Sequence, residues 1–153
     1  MTNVFADLRA KYFVLPRPSA PAAVAAPDPW GIVMEIAYPQ AVLTTVAFAD
    51  GTASVLRSTG GGFFGGGDAG VQRAREEFLK QAQVVLSQMT QVETFPEPNV
   101  GYVVFYTRTD RGVYTASASV AELQPPGHPL RQLYFSGLQV LNEYLRLQKQ
   151  TQQ

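Results

Sequence analysis

The sequence predicts a single α+β domain, in which an antiparallel sheet of about five strands carries two amphipathic helices packed on one face. Several short segments alternate apolar and polar residues with a period of two, and turn residues separate them. Two longer segments carry apolar residues at three- and four-residue spacing, which is typical of helices. Of the 153 residues 46% are hydrophobic, and a domain of this size buries roughly 70% of its unfolded surface.

The first three strands are predicted as a meander that begins at Trp30. The second strand covers residues 42–49, and a tight turn at Asp50 and Gly51 leads into the third strand, residues 52–57. Because successive side chains in a strand point to opposite faces, the large residues of the first strand should share one face. These residues are Trp30, Ile32, Met34, Ile36 and Tyr38.

The first of the two long helices is predicted to begin after Asp68, whose carboxylate can cap its N-terminus. Its apolar stripe runs to Met89. The prediction places Phe78 and Val85 of this stripe between the helix and the sheet. The stripe consists of Val71, Ala74, Phe78, Ala82, Val85 and Met89, with Leu79 and Leu86 widening it.

A second hairpin and a second helix complete the predicted domain. The hairpin joins residues 101–109 to residues 113–120, and the helix opens at His128 and Pro129. Gly137 falls within the apolar side of this helix, and glycine there costs about 1 kcal/mol relative to alanine. We therefore expect a neighbouring backbone to approach closely at Gly137. The predicted core side is Leu130, Leu133, Tyr134, Leu138, Leu141 and Leu145.

The predicted element order is strand-strand-strand-helix-strand-strand-helix. In topology alone, this order resembles the profilin-like and roadblock/longin folds, where a meander, a crossover helix and a returning hairpin share one sheet. The resemblance implies a shape and assigns no residue a role, because no motif in the chain identifies a member of either family.

Three segments are predicted along the chain. Residues 1–29 form a short helix and a connector rich in proline and alanine, residues 30–147 form the globular α+β domain, and residues 148–153 form a glutamine-rich tail that frays. The connector is expected to be extended, either as a surface strap or as a docking peptide for an aromatic groove.

Composition excludes several classes of function. Twelve Lys and Arg balance twelve Asp and Glu, which disfavours binding to nucleic acid. With no Cys and one His, the chain cannot have a thiolate nucleophile or an ordinary Cys/His zinc site, and no cofactor is predicted. Charges at Asp7, Arg9 and Lys11 argue against a secretory signal, and no apolar stretch approaches the ~20 residues of a membrane span. A cytoplasmic location is therefore expected.

The most unusual segment is the glycine loop, residues 59–68, in which six glycines flank two phenylalanines. It contains a G-x-G-x-x-G pattern that could present backbone N–H groups to an anion or a nucleotide at a helix N-terminus. The preceding strand belongs to an antiparallel meander, however, and not to the parallel unit that this motif requires. The candidate anion-binding residues are Gly60, Gly62, Gly65, Gly66 and Gly67.

Phe63 and Phe64 suggest a different use of this loop. Adjacent residues in an extended segment point to opposite sides, so we expect one ring to fold inward and the other to project outward. An outward ring would form an apolar knob suited to a pocket on a partner or on a second copy of the chain.

The fourth predicted strand offers a second candidate surface. Tyr102, Tyr106 and Arg108 share one of its faces, and tyrosine and arginine are enriched at the centres of protein interfaces. Tyrosines are also common in ordinary strands, which leaves a purely structural role open.

Catalysis is not expected. Glu35 lies among apolar neighbours in the first strand, either as a buried acid or on the solvent side of the sheet. His128 precedes a helix N-terminus, where a positive imidazolium is disfavoured, so it is expected to act as a neutral cap. Neither residue belongs to a recognisable acid–base pair.

The sequence therefore predicts a non-enzymatic protein-interaction module that acts through its sheet face or through the loop at Phe63 and Phe64. Its expected partner is another protein or a second copy of the chain, with a homodimer as one outcome. The alternative is a small-molecule, nucleotide or anion-binding domain that uses Gly60 to Gly67 at a helix N-terminus.

Overall fold

The structure, a computed structural model, describes residues 4–14, 29–64 and 67–151. Two short 3-10 turns lie at Leu86–Gln88 and Ala121–Leu123. The helices are α1 (Val4–Val14), α2 (Ala69–Val85) and α3 (Arg131–Thr151). The strands are β1 (Gly31–Ala37), β2 (Val42–Phe48), β3 (Ala53–Arg57), β4 (Gly62–Phe63), β5 (Thr90–Val92), β6 (Tyr102–Thr109) and β7 (Gly112–Ser119).

All of these strands form one antiparallel sheet in the spatial order β4-β3-β2-β1-β6-β7-β5. The predicted α+β class is thus confirmed, as are the β1-β2-β3 meander and the β6-β7 hairpin. The predicted count of five strands is wrong, because β4 and β5 add an edge strand on each side. They have two and three residues, too few to show a period of two in the sequence.

One face of the sheet is covered by α2 and α3, as predicted. Phe78 and Val85 of α2 are buried there against Ile32, Met34 and Ile36 of β1. The first and last residues of the row predicted to share this face, Trp30 and Tyr38, are not buried on it. Trp30 precedes β1 and is buried on the opposite face of the sheet, and Tyr38 follows β1 and is exposed.

The buried side of α3 is rotated relative to the prediction. Val140 and Tyr144, which the predicted stripe omits, are buried in the core. Leu138 and Leu141 are only partly buried, and Leu145 is exposed. Leu130, Leu133 and Tyr134 are buried, as predicted, and the departure is confined to Leu138, Leu141 and Leu145, which flank the contact with the sheet.

Gly137 lies at the centre of this contact. A Cβ at this position would be 2.7 Å from Cε of Met34 and 3.0 Å from Cζ of Phe78. The close approach predicted at Gly137 is therefore to two buried side chains and not to a neighbouring backbone. Glycine allows α3 to pack directly over β1 and beside α2.

The opposite face of the sheet is also covered, which the prediction of helices on one face did not include. Phe13 of α1 stacks on Phe95 with ring centroids 4.5 Å apart, and its ring meets the edge of Tyr106 at 5.1 Å. These aromatic rings join Trp30 and β-sheet residues in a second apolar core. The sheet thus lies between two layers, with α2 and α3 on one side and α1 with residues 93–99 on the other.

The terminal segments were predicted as a connector and a fraying tail. Residues 15–28 of the connector lie outside the described residues. At the other end, α3 continues to Thr151, well into the segment expected to fray.

Candidate functional site

The first half of the glycine loop makes a tight connection between β3 and β4. Gly60 and Gly61 have positive φ angles of 111° and 78°, which side chains rarely adopt. Gly62 pairs with Leu56, and a Cβ there would overlap the carbonyl oxygen of Val55. Local folding therefore accounts for these three glycines. Gly65 and Gly66 lie outside the described residues.

The two phenylalanines of the loop point in opposite directions, which confirms the expectation from the sequence. The ring of Phe63 stacks on Tyr144 of α3, with centroids 5.3 Å apart and planes 12° apart. The side chain of Phe64 is 51% exposed. The loop therefore presents one aromatic ring outward from a position fixed by its neighbour.

The N-terminus of α2 is capped by Asp68, as predicted. Asp68 Oδ2 accepts hydrogen bonds from the backbone N–H groups of Gly70 at 2.8 Å and Val71 at 3.1 Å. Arg146 of α3 donates to the same oxygen at 2.9 Å. The hydrogen bonds from the backbone and from Arg146 lower the pKa of Asp68. An anion at this helix end would meet a carboxylate that already occupies the two N–H groups.

The second candidate surface, Tyr102, Tyr106 and Arg108, is mostly covered. The three side chains share one face of β6, as predicted, but only Tyr102 is exposed, at 48%. Tyr106 and Arg108 are buried in the layer that contains α1. The prediction of an exposed cluster is therefore wrong for these two residues, because α1 covers them and strand periodicity carries no signal of a helix on that face.

Arg108 holds the C-terminal turn of α1. Its Nη1 donates to the carbonyl oxygen of Tyr12 at 2.6 Å, and its guanidinium lies 4.3 Å from the ring centroid of Trp30. Burial lowers the pKa of Arg108 to about 10, so the side chain is still a cation at neutral pH. Its Nε has no hydrogen-bond partner within the described part of the chain.

Glu35 is the buried acid that the sequence allowed. Its side chain is fully buried, and Arg9 of α1 binds both carboxylate oxygens, at 2.7 Å through Nε and 2.6 Å through Nη2. Thr44 Oγ1 donates to the same carboxylate at 2.7 Å. Burial lowers the pKa of Arg9, but the hydrogen bonds and the charge attraction to Glu35 raise this pKa by more. The net effect is a raised pKa for Arg9. The pair fixes α1 to the sheet.

Sequence reasoning did not identify Arg9 as the partner of Glu35. Glu35 is the one charged residue of an apolar strand, whereas Arg9 lies in a helix that also carries other charges. Glu35, a lone carboxylate in an apolar strand, is the signal that could have suggested a buried ion pair, but nothing in the sequence singles out Arg9 from the nearby charges Asp7 and Lys11 as its partner.

His128 also has the predicted role. Its Nδ1 accepts a hydrogen bond from the backbone N–H of Leu130 at 3.1 Å, just before α3 begins.

Tyr106 should make stability depend on alkaline pH. Burial, with a smaller contribution from the charge of Glu35, raises its pKa to about 12, and its hydroxyl donates to Pro96 O at 2.6 Å. A tyrosine in the unfolded chain ionises near pH 10, so the unfolded state loses its proton first. Stability should therefore fall by about 2 kcal/mol between about pH 10 and pH 12.

Urea unfolding at a series of alkaline pH values would measure this dependence. The control is Tyr106→Phe, which cannot ionise and should show a shallower loss of stability as the pH rises. Equal slopes for the two proteins would contradict a specific effect of Tyr106.

A groove lies beside Tyr102, between residues 94–99 and the surface of β6 and β7. We call it the β6–β7 groove, and its volume is about 370 Å³. The lining combines apolar and uncharged polar side chains with one carboxylate. It consists of Val92, Thr94, Pro96, Glu97, Pro98, Asn99, Tyr102, Val103, Val104, Tyr106, Thr115 and Ser117.

Neither the remaining side-chain clusters nor similarity to known proteins assigns this chain a function. Across residues 4–14, 29–64 and 67–151, no group of three or more His, Asp or Glu side chains could hold a metal ion. Within the same ranges, no helix has the length and apolar character needed to cross a membrane. The chain matches no protein-family model, no curated protein and no solved structure. The resemblance to profilin-like and roadblock/longin folds is therefore not confirmed.

Proposed function

We propose that this protein is a non-enzymatic interaction module that binds another protein, or a second copy of itself, through the part of the glycine loop that carries Phe64. The observation that supports this proposal is the contrast between neighbouring rings. Phe64 is 51% exposed, whereas Phe63 is stacked on Tyr144. Burying an aromatic ring at an interface contributes a large favourable free energy of binding. Because Phe63 already holds the adjacent backbone in place, less conformational entropy is lost when Phe64 binds a partner.

The loop is better supported than the sheet face as the interaction surface. Tyr106 and Arg108 are covered by α1, so a partner could reach them only after α1 had left its site. Phe64 requires no such rearrangement. A non-enzymatic role is supported by Glu35, which is enclosed in an ion pair, and by His128, whose Nδ1 caps a helix.

The alternative function, binding of a nucleotide or another anion, has weaker support. The first N–H groups of α2 already bond to Asp68, and Arg146 already pairs with the same carboxylate. Gly60 and Gly62 have local structural roles in the turn between β3 and β4. Our proposal also includes a cytoplasmic location, a homodimer as the form of self-association, and a profilin-like or longin-like arrangement of the elements.

Serine substitutions should separate the roles of the two rings. Phe64→Ser should change the free energy of unfolding by less than about 0.5 kcal/mol, because its ring is exposed. Phe63→Ser should cost about 1–2 kcal/mol, because it removes a stacked and partly buried ring. Thermal melts would measure these effects, and light scattering over a range of concentrations would measure self-association, which Phe64→Ser should weaken.

A photo-reactive phenylalanine analogue at position 64 tests for a partner of either kind. We expect ultraviolet light to give a cross-linked dimer or a defined adduct with another protein in cells. The matched control carries the same analogue at Val84, an apolar residue of α2 that is 64% exposed. If position 64 yields no more adduct than position 84, and Phe64→Ser leaves association unchanged, the loop is not an interaction surface.

A further inference from the structure

Half of the outer edge of β7 is open. On its inner side β6 pairs along the whole strand, from Tyr102 opposite Ser119 to Thr109 opposite Gly112. On its outer side β5 pairs only with residues 113–115. No other strand among the described residues pairs with residues 116–119 on this side. An open edge of this kind can accept an added strand.

Ser117 presents the backbone groups that an added strand needs. Val120 N–H donates to Gly101 O, which fixes the alternation of hydrogen bonds between β6 and β7. By that alternation, the N–H and C=O of Ser117 point away from β6 and toward the open edge. The next outward N–H, that of Ser119, already donates to Glu122. Ser117 is therefore the central contact point for an incoming backbone, and it is exposed.

The β6–β7 groove reaches this same position. Ser117 belongs to its lining and is opposite Val104 in the pairing of β6 with β7. Because β5 begins at Thr90, opposite Thr115, no residue of β5 pairs with Ser117. A strand added beside Ser117 would alternate its side chains and direct every second one toward the groove side of the sheet.

The charges of the groove favour a basic side chain in that place. Its lining contains no Lys or Arg, and Glu97 is its carboxylate. The Glu97 side chain is 48% exposed, and its Oε1 lies 4.0 Å from Arg9 Nε. Tyr102 adds a half-exposed ring to the same lining. A carboxylate and an aromatic face together suit an ammonium or guanidinium group.

We propose that the open edge at Ser117 and the β6–β7 groove bind an extended segment of a partner protein that carries a lysine or arginine. Backbone hydrogen bonds to Ser117 hold the segment as an additional strand, and its basic side chain lies between Glu97 and Tyr102. This surface goes beyond the proposed role of Phe64, because the Phe64 loop follows β4 at the opposite edge of the sheet.

The probe is a displayed library of short random peptides, selected on the full chain. We expect selected peptides to be enriched in lysine or arginine and to bind Ser117→Pro about tenfold more weakly, because this change removes the outward N–H. Proline is tolerated in an edge strand where the N–H faces outward, so the variant should fold. Ser117→Ala keeps the N–H and serves as the matched control, with binding unchanged.

Glu97→Gln tests the charge recognition without altering the strand. It should weaken the selected peptides by about tenfold and reduce the preference for basic residues. The proposal is overturned if selected peptides bind Ser117→Pro and wild type equally, if acidic peptides are enriched, or if the library yields no binder. Phe64→Ser should bind the peptides as wild type does, so this result is separable from the outcome for the glycine loop.

Discussion

A Val85→Asp variant should fail to fold. Val85 is 5% exposed in the core between α2 and the sheet. An aspartate there would place a carboxylate among apolar groups. The expected cost is about 5 kcal/mol or more, which is comparable with the whole stability of a domain of this size. Circular dichroism and urea unfolding should show the loss of a cooperative transition.

The adjacent residue provides a matched control. Val84 is 64% exposed on α2, so Val84→Asp introduces the same charge one position away at the surface. This variant should unfold cooperatively with a stability within about 0.5 kcal/mol of wild type. A cooperative transition in Val85→Asp that matches the Val84→Asp transition would refute the packing of α2.

Arg9→Ala should cost about 3–5 kcal/mol, the largest effect that we expect from a charged residue. The change removes the one side chain that binds both oxygens of the fully buried Glu35 carboxylate. Thr44 alone would remain as its side-chain hydrogen-bond donor among the described residues. Urea unfolding can be followed through Trp30, the single tryptophan of the sequence, which is buried in the core on the same face.

A double-mutant cycle identifies the buried charge as the cause. In a Glu35→Gln background the carboxylate is replaced by a neutral amide, so Arg9→Ala should cost only about 1 kcal/mol. The same cost in both backgrounds would show that Arg9 acts through packing, for instance through its position over the Phe13 ring, and not through Glu35.

The sequence predicted those elements whose information is local. The stripe of α2 has a three- and four-residue spacing, and Asp68 sits where a cap is needed, so both features appear within one window of sequence. The hairpin turn at Gly51 is likewise local, and this glycine has a positive φ angle. The edge strands β4 and β5 were missed because two or three residues carry no periodic signal.

The buried side of α3 shows why composition can mislead. The sequence offers many leucines on this helix, and the predicted stripe followed them. Beyond Gly137 the core instead receives Val140 and Tyr144, because that glycine permits the closest approach. The rotation depends on Met34 and Phe78, which are distant in sequence and cannot enter a local pattern.

At the candidate sites, too, the sequence predicted local geometry but not the contacts between distant segments. Opposite orientations for Phe63 and Phe64 follow from chain geometry, and the structure confirms them. The burial of Tyr106 and Arg108 depends on α1, which crosses a face that strand periodicity alone leaves open. The open edge at Ser117 depends on where β5 begins, and this too is a property of the assembled sheet.

The pairing of β1 with β6 has a consequence for the rate of folding. Gly31 pairs with Arg108 and Ile36 with Val103, so strands at the centre of the sheet join residues about seventy positions apart. The meander and the β6-β7 hairpin can each form from local contacts, but their union requires closure of a long intervening loop. We infer that this joining is the slow step, and that until it occurs both β1 and β6 have an unpaired edge open to intermolecular pairing.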